Sequence, residues 1–375
     1  MTSIVHVMGW RSQQYGSFER FLVALSRRCE QEGATTTLVF RARPSSSAFL
    51  SDVPAQVRVL SGARTPADPR FALDLARLLR GAHATHMHAH FGTDAYEALA
   101  VARAAGVRRR YSTKHIMPSS GVRSALRHRW LGAQVETFFG VSEQVTQRLC
   151  SLGVPRDKAV LCRLGVDAAA YQVPPGTRGV VRAELAIPEG ARIVLSTSHL
   201  RPGKGVELLP ALVAGLTDAV LVLAGEGPLR SALQDSADRL GLGSRLRLLG
   251  LRQDVPRLLA AADLVVFPTT ANEGLPLGPL EAVAAGVPLV ASAVSDLPAL
   301  LGGLVTLVPP GDASALTAAC LQVLRDPAAA RLRADTAARH VAAELSVQRA
   351  TDIHLQHYLR AADATGGRPP SAAAR

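Results

Sequence analysis

LVVFPTTANEGLPLGPLEAVAAGVPLVA, residues 264–291, reads as a strand, a loop, a helix and a second strand within 28 residues. The run 264–267 is wholly apolar, as a strand buried on both faces of a parallel sheet requires. Gly278 and Pro279 occupy the positions of an N-cap and a first helical residue. The pattern 279–285 is helical, and 288–291 is strand-like again. A strand that returns through a helix to a second strand is a βαβ unit.

Working outward, the same alternation runs through both halves of the chain. Strand-like runs at 4–8, 36–40, 57–60, 85–88, 110–113 and 137–141 are separated by helical spacings such as 18–30, 71–80 and 94–105. It restarts at 193–196, with the strictly apolar run 219–224 as its clearest strand and helices at 205–214, 229–240, 255–261 and 313–324. The segment 171–179, with Pro174, Pro175, Gly176 and Gly179, has a linker composition. The fold class is therefore α/β, with two Rossmann-like domains facing each other across a cleft. The expected boundaries are 1–170, 171–345, a C-terminal helix over 346–362 that packs back on the first domain, and a disordered tail over 363–375. Ligands in such sheets bind outside the carboxyl ends of the strands, so the loops after strands are the places to search.

The chain has 375 residues, 48% of them apolar and 19% charged, ample for two packed cores. There is no apolar run long enough for a spanning helix and no signal-peptide pattern, which points to the cytoplasm. Cys29, Cys150, Cys162 and Cys320 are scattered without CxxC spacing, which fits ordinary packing better than a disulfide framework or zinc site. Net charge is +12, and residues 1–170 hold 23 Lys/Arg against 12 Asp/Glu, almost the whole excess. A solvated basic surface and a surface for an anionic acceptor or membrane both fit this. Aromatics are 4%, too few for the aromatic-studded basic face of a nucleic-acid binder.

The loop and helix after 264–267 aim backbone N–H groups and a positive helix end at an anion such as a diphosphate. They also supply two carboxylates, Glu273 on the loop and Glu281 in the first turn of the helix. Glu281 could equally serve only to complement the helix end.

The segment EGLPLGPLEAVAAGVPLV, 273–290, resembles the EX7E signature of family 4 retaining glycosyltransferases of the GT-B type. LAGEGPLR at 223–230, the run 248–269, YGSFERF at 15–21, HMHAHFG at 86–92 and VSEQVTQRLCSLGVP at 141–155 fit the same family in order and spacing. The resemblance implies hexosyl transfer from a nucleotide diphosphate sugar, a UDP-sugar favoured, to an acceptor hydroxyl, with retained configuration and no metal cofactor. It places His115, Glu273 and Lys204 at the reacting end. Gly16, His199, Arg201, Lys204, Glu226, Gly250, Gly274, Leu275, Leu277 and Glu281 surround the donor, with Glu273 orienting the sugar and Glu281 the ribose. The sequence departs from the family in SHLRPGKG, 198–205, where Ser198 and His199 stand for a glycine and an arginine, and at Leu164 in RLGVD. His199 is held protonated by the diphosphate, Arg201 substitutes for the family arginine, or the enzyme is weakened or specialised. A sugar-nucleotide epimerase and a non-catalytic nucleotide-sugar-binding protein remain as alternative readings.

His86, His88 and His90 alternate along one strand face, a spacing that could suggest a metal site. Only Asp94 accompanies them, so a metal-free cluster is expected. Between Glu97 and Glu136 there is no acidic residue, and Arg123, Arg127 and Trp130 recur at helical spacing. This basic stretch fits peripheral contact with an anionic membrane, a phosphate-bearing acceptor or a plain solvated helix.

Overall fold

The computed structural model describes residues 2–9, 12–60, 68–91, 94–216, 218–271 and 273–359. The expected tail and the side chain of Asp94 lie outside the described residues. The chain divides into two compact units: the first takes residues 1–13, 22–163 and 349–375, the second 14–21 and 164–348.

The first unit is built on seven parallel strands: β1 (Ser3–Met8), β2 (Thr35–Phe40), β3 (Gln56–Val59), β4 (His86–His90), β5 (Arg109–Lys114), β6 (Thr137–Gly140) and β7 (Ala159–Leu161). Their order is β3-β2-β1-β4-β5-β6-β7, so the winding reverses between β1 and β4. Helices α1 (Ser17–Gln31), α2 (Ser47–Asp52), α3 (Pro69–Gly81), α4 (Asp94–Ala104), α5 (Val122–Gln134) and α6 (Glu143–Ser151) follow the strands in turn. The first five residues of α1 group with the second unit.

The second unit has six parallel strands: β8 (Arg192–Thr197), β9 (Ala219–Ala224), β10 (Leu246–Gly250), β11 (Leu264–Phe267), β12 (Leu289–Ser292) and β13 (Thr306–Val308). Their order is β10-β9-β8-β11-β12-β13, the doubly wound arrangement with its switch point between β8 and β11. Its helices are α7 (Thr177–Glu184), α8 (Leu209–Ala214), α9 (Arg230–Arg239), α10 (Val255–Ala261), α11 (Leu277–Ala284), α12 (Leu297–Leu301), α13 (Ala313–Arg325) and α14 (Pro327–Glu344). α15 (Val347–Leu359) then rejoins the first unit from residue 349 onward. Tyr358 on it accepts from Arg109 at its carbonyl, 3.0 Å away, and Tyr111 donates to the carbonyl of His357 at 2.9 Å.

Every residue of β9 is buried, because helices cover both faces of the sheet. Leu221 and Leu223 pack with Val194, Leu264, Val266 and Leu212 in one continuous core. No helix among the described residues is long and apolar enough to cross a membrane.

Three local readings are corrected. α11 begins at Leu277 with Pro276 as its N-cap, so Gly278 and Pro279 lie inside the helix. Proline is tolerated there because N–H groups of the first turn have no intrahelical partner to lose. Glu281 is accordingly the fifth helical residue, in the second turn. Tyr171, read as the start of a linker, closes a short 3-10 turn, Ala168–Tyr171, and is buried.

Candidate functional site in the second unit

β8 and β11 flank the switch point, and the loops that leave their carboxyl ends carry Lys204 and Glu273. Lys204 is one of three lysines in the chain, against 39 arginines. Its ammonium donates to Glu273 Oε1, and the two side chains are only 11% and 16% exposed. The partners are thus largely shielded from solvent. Thr269 lies beside them, its hydroxyl 2.9 Å from the carbonyl of Gly203 and 3.1 Å from Glu273 Oε1. The amides of Thr270 and Ala271 donate to the same Gly203 carbonyl at 2.9 and 3.0 Å. These bonds stitch the loop after β8 to the loop after β11.

Gly205 makes that stitching sterically feasible. Its φ is +67°, and a Cβ there would meet the Pro268 carbonyl oxygen at 1.9 Å. Gly225, after β9, plays the same part on the other side, where a Cβ would meet the Ser198 carbonyl oxygen at 1.9 Å. The loops after β8, β9 and β11 are therefore held in close contact by residues without side chains.

His199 lies close enough to Lys204, Arg201 and Glu273 to feel their charges. Partial withdrawal from water, then the two cations, hold its imidazole below the ordinary histidine range. Its neutral form is therefore favoured. The Ser198 hydroxyl beside it is buried without a partner, which is uncommon for such a group. The Glu226 carboxylate pairs with Arg230 at 3.0 Å at the exposed start of α9, beside Gly250. Gly250 ends β10 and bridges to Gly225.

The carbonyl of Gly274 accepts from the buried Ser295 hydroxyl, which fixes the loop just before Leu275. Leu275 is buried and Leu277 opens α11. Glu281 sits apart from the Lys204–Glu273 pair in its bonding. Its Oε1 accepts from Ser17 Oγ at 2.6 Å, and the Tyr171 hydroxyl lies 3.2 Å from Ser17 Oγ. Burial and then the Glu281 charge push the Tyr171 phenol well above its usual range, so it stays a protonated donor. Gly16 caps α1 beside this group: its amide donates to Glu19 Oε2 at 3.0 Å, and its carbonyl accepts from Arg20 at 3.0 Å.

Ser17 and Tyr171 were not among the expected site residues. Ser17 lies within the YGSFERF segment already singled out by sequence. Tyr171 carried no local signal, since its neighbours read as a proline- and glycine-rich connection.

Residues of the first unit belong to a separate cluster. β1 and β4 pair so that His6 lies opposite His88. His6 Nδ1 is 3.1 Å from His90 Nε2, and His90 Nδ1 is 3.2 Å from His115 Nε2. His115 follows β5, stacks on Phe91 at 3.8 Å and is buried. His88 is held between the Tyr358 hydroxyl and Thr113 Oγ1, the latter at 2.7 Å. His86 binds the Tyr358 carbonyl and Thr85. His6, His88 and His90 could offer nitrogens within 4.8 Å of one another. Their rings, however, stack within 18–25° of parallel. His6 Nδ1 and His90 Nε2 already share a hydrogen bond, which an ion at this position would have to displace. His6 was missed at the sequence level, although a histidine inside an otherwise apolar strand is itself a signal.

Two parallel, doubly wound units in one chain define the GT-B architecture. Solved structures share it along nearly the whole length. HepE of Anabaena, in complex with UDP and glucose, superposes with a TM-score of 0.82 at 20% identity, covering 95% of this chain and 99% of that one. Sucrose-phosphate synthase of Thermosynechococcus elongatus gives 0.79 at 19% identity over 96% and 98%. Residues 178–341 match the family described as Glycosyl transferases group 1, and residues 18–170 match Glycosyltransferase Family 4. The chain belongs to this glycosyltransferase family. A D-inositol 3-phosphate glycosyltransferase of Mycobacterium marinum is 35% identical over 217 residues, 54% of this chain and 46% of that protein. The chain thus spans about half the length of the curated relatives it matches.

Proposed function

We propose that the protein transfers a hexosyl unit from a nucleotide diphosphate sugar, with UDP as the favoured nucleotide, to an acceptor hydroxyl with retention at the anomeric carbon. The carrying observation is the Lys204–Glu273 pair on the two strands that flank the switch point. The reading also draws support from the inositol-phosphate glycosyltransferase relatives and from HepE, which was solved with UDP and glucose.

In this reading the bond from the anomeric carbon to the diphosphate breaks, and the acceptor oxygen bonds to that carbon from the same face. The acceptor's proton passes to the departing phosphate oxygen. The developing charge lies on the diphosphate, where preorganised donors lower the barrier most. Lys204, the unpartnered Ser198 hydroxyl, His199 or Arg201, and the amides of Gly274, Leu275 and Leu277 supply those donors. A diphosphate competes with Glu273 for the Lys204 ammonium, which frees the carboxylate to orient the sugar hydroxyls. Glu281, already held by Ser17, takes the ribose hydroxyls. His115 is assigned to the transferred sugar on the family resemblance alone. The reaction is expected to need no metal and to persist in excess chelator; complete loss, restored by Mg²⁺ or Mn²⁺, sinks that part of the reading.

A donor panel tests the whole. UDP-, GDP- and ADP-sugars are compared by thermal shift and then by donor hydrolysis, with Glu273→Gln alongside. The reading expects one nucleotide class to stabilise the protein and its hydrolysis to fall in the variant. Stabilisation without turnover favours a nucleotide-sugar-binding protein, an alternative given weight by neutral His199 at the family arginine position. No stabilisation by any donor removes the proposal.

A further inference from the structure

We infer that the outer face of α5 docks the protein onto an anionic lipid surface. Eleven large apolar side chains are exposed among the described residues, and four of them fall within 116–130. Isolated exposed apolar residues are ordinary, whereas a contiguous group marks a surface that is covered in use. Val122, Leu126 and Trp130 are 76%, 64% and 47% exposed and recur at every fourth residue, forming one stripe along the helix. Arg123 and Arg127 run along one edge of that stripe, and Arg129 borders the other; all three are exposed. The opposite face, with Ser124, His128 and Leu131, is buried. Ile116, 58% exposed on the approach to the helix, extends the apolar region.

An apolar stripe flanked by arginines and carrying a tryptophan is the pattern of a helix lying in a membrane interface. Arginine stems pack along the acyl boundary while their guanidinium groups reach the phosphates. Charge selects this occupant over a second copy of the chain. No carboxylate occurs between Glu97 and Glu136, so a self-paired contact through this helix brings cations against cations. α5 starts seven residues after His115, the residue assigned above to the transferred sugar. On the glycosyl-transfer reading, this makes the acceptor a lipid-borne hydroxyl; the docking itself does not depend on that reading.

The test is flotation of the full chain with vesicles of phosphatidylcholine alone and of phosphatidylcholine with phosphatidylglycerol, at low and high salt. Binding is expected to the anionic vesicles only and to be lost at high salt. Changing Arg123, Arg127 and Arg129 to Ser should weaken it about a hundredfold, roughly fivefold per residue at about 1 kcal/mol each. Leu126→Ser with Trp130→Ser should weaken it as well, with thermal unfolding unchanged because these side chains are exposed. Equal binding to neutral vesicles, or full binding by the triple arginine variant, overturns the inference. A vesicle-independent dimer that Leu126→Ser dissolves overturns it too and assigns the face to a second copy. Vesicle binding in a protein that hydrolyses no donor leaves the docking standing and removes the catalytic reading instead.

Discussion

Mild acid should unfold the first unit, because its histidine cluster is buried in the neutral form. Burial, reinforced by neighbouring cations or other histidines, lowers His6 to about 3. His86 and His354 fall to about 4. His88, His90 and His115 are lowered well below the ordinary range by the same causes. In the unfolded chain each histidine protonates near its usual value, so below about pH 6.5 the unfolded state binds more protons than the folded one. The cluster's stability is therefore complete above that pH. It is lost as pH falls, until the folded histidines themselves protonate near 4 and 3. Each such group costs about 1.4 kcal/mol per pH unit across that window. From about pH 6.5 to 5.5 the unfolded histidines are only partly protonated, so His6, His86 and His354 together remove about 3 kcal/mol, against a typical domain stability of 5–15 kcal/mol. The remaining three act in the same direction. The assay is urea unfolding followed by tryptophan fluorescence, since both tryptophans, Trp10 and Trp130, lie in the first half of the chain. His354→Phe, which keeps a ring stacked on Phe139, should reduce the pH slope by about 1.4 kcal/mol per unit. Stability that changes by less than about 1 kcal/mol over that range would refute neutral burial of the cluster.

Other outcomes follow from the second unit. Lys204→Ala, Glu273→Gln and Glu281→Gln should each cut donor turnover more than about tenfold, or 1.4 kcal/mol in the transition state; near-wild-type rates in all three remove the site. Tyr171→Phe and Ser17→Ala should raise KM for the donor more than they lower kcat, because they act by holding Glu281; an unchanged KM contradicts that role. A bound diphosphate should raise the His199 pKa and draw in a proton near neutral pH. Calorimetric titration of UDP in two buffers of different ionisation enthalpy reads this directly, and uptake that persists in His199→Arg shows another group to be responsible. If Arg201 stands in for the family arginine, His199→Arg restores activity to Arg201→Ala. Gly205→Ala should destabilise by more than about 2 kcal/mol in urea, since its Cβ has nowhere to go beside Pro268; a neutral result means that the two loops separate easily.

The architecture was legible because parallel strands covered on both faces leave a local imprint. Runs such as 219–224 and 264–267 are apolar throughout, and the helices between them carry their own period. Glu273 and Lys204 were legible for a related reason: loops after strands are where ligands bind, and the motif spacing singled these two out. Boundaries were less so. The start of α11 was placed at Gly278 and Pro279 from capping preferences, yet Pro276 caps the helix without a side-chain bond, because packing rather than capping sets where it begins.

Sequence alone determined two doubly wound α/β halves, the family, and a cation and a carboxylate offered from the loops after two strands. Tertiary structure alone decided which of these groups meet. It paired Lys204 with Glu273, brought Ser17 and Tyr171 to Glu281 from distant segments, and joined His6 and His90, on two strands, and His115, just after a third, into one buried chain. It also separated the exposed stripe of α5 from its buried face. The physical reason is that periodicity and capping act over a few residues and are written locally. Contacts across 154 or 264 residues depend on how strands order themselves in a sheet, and no short stretch encodes that.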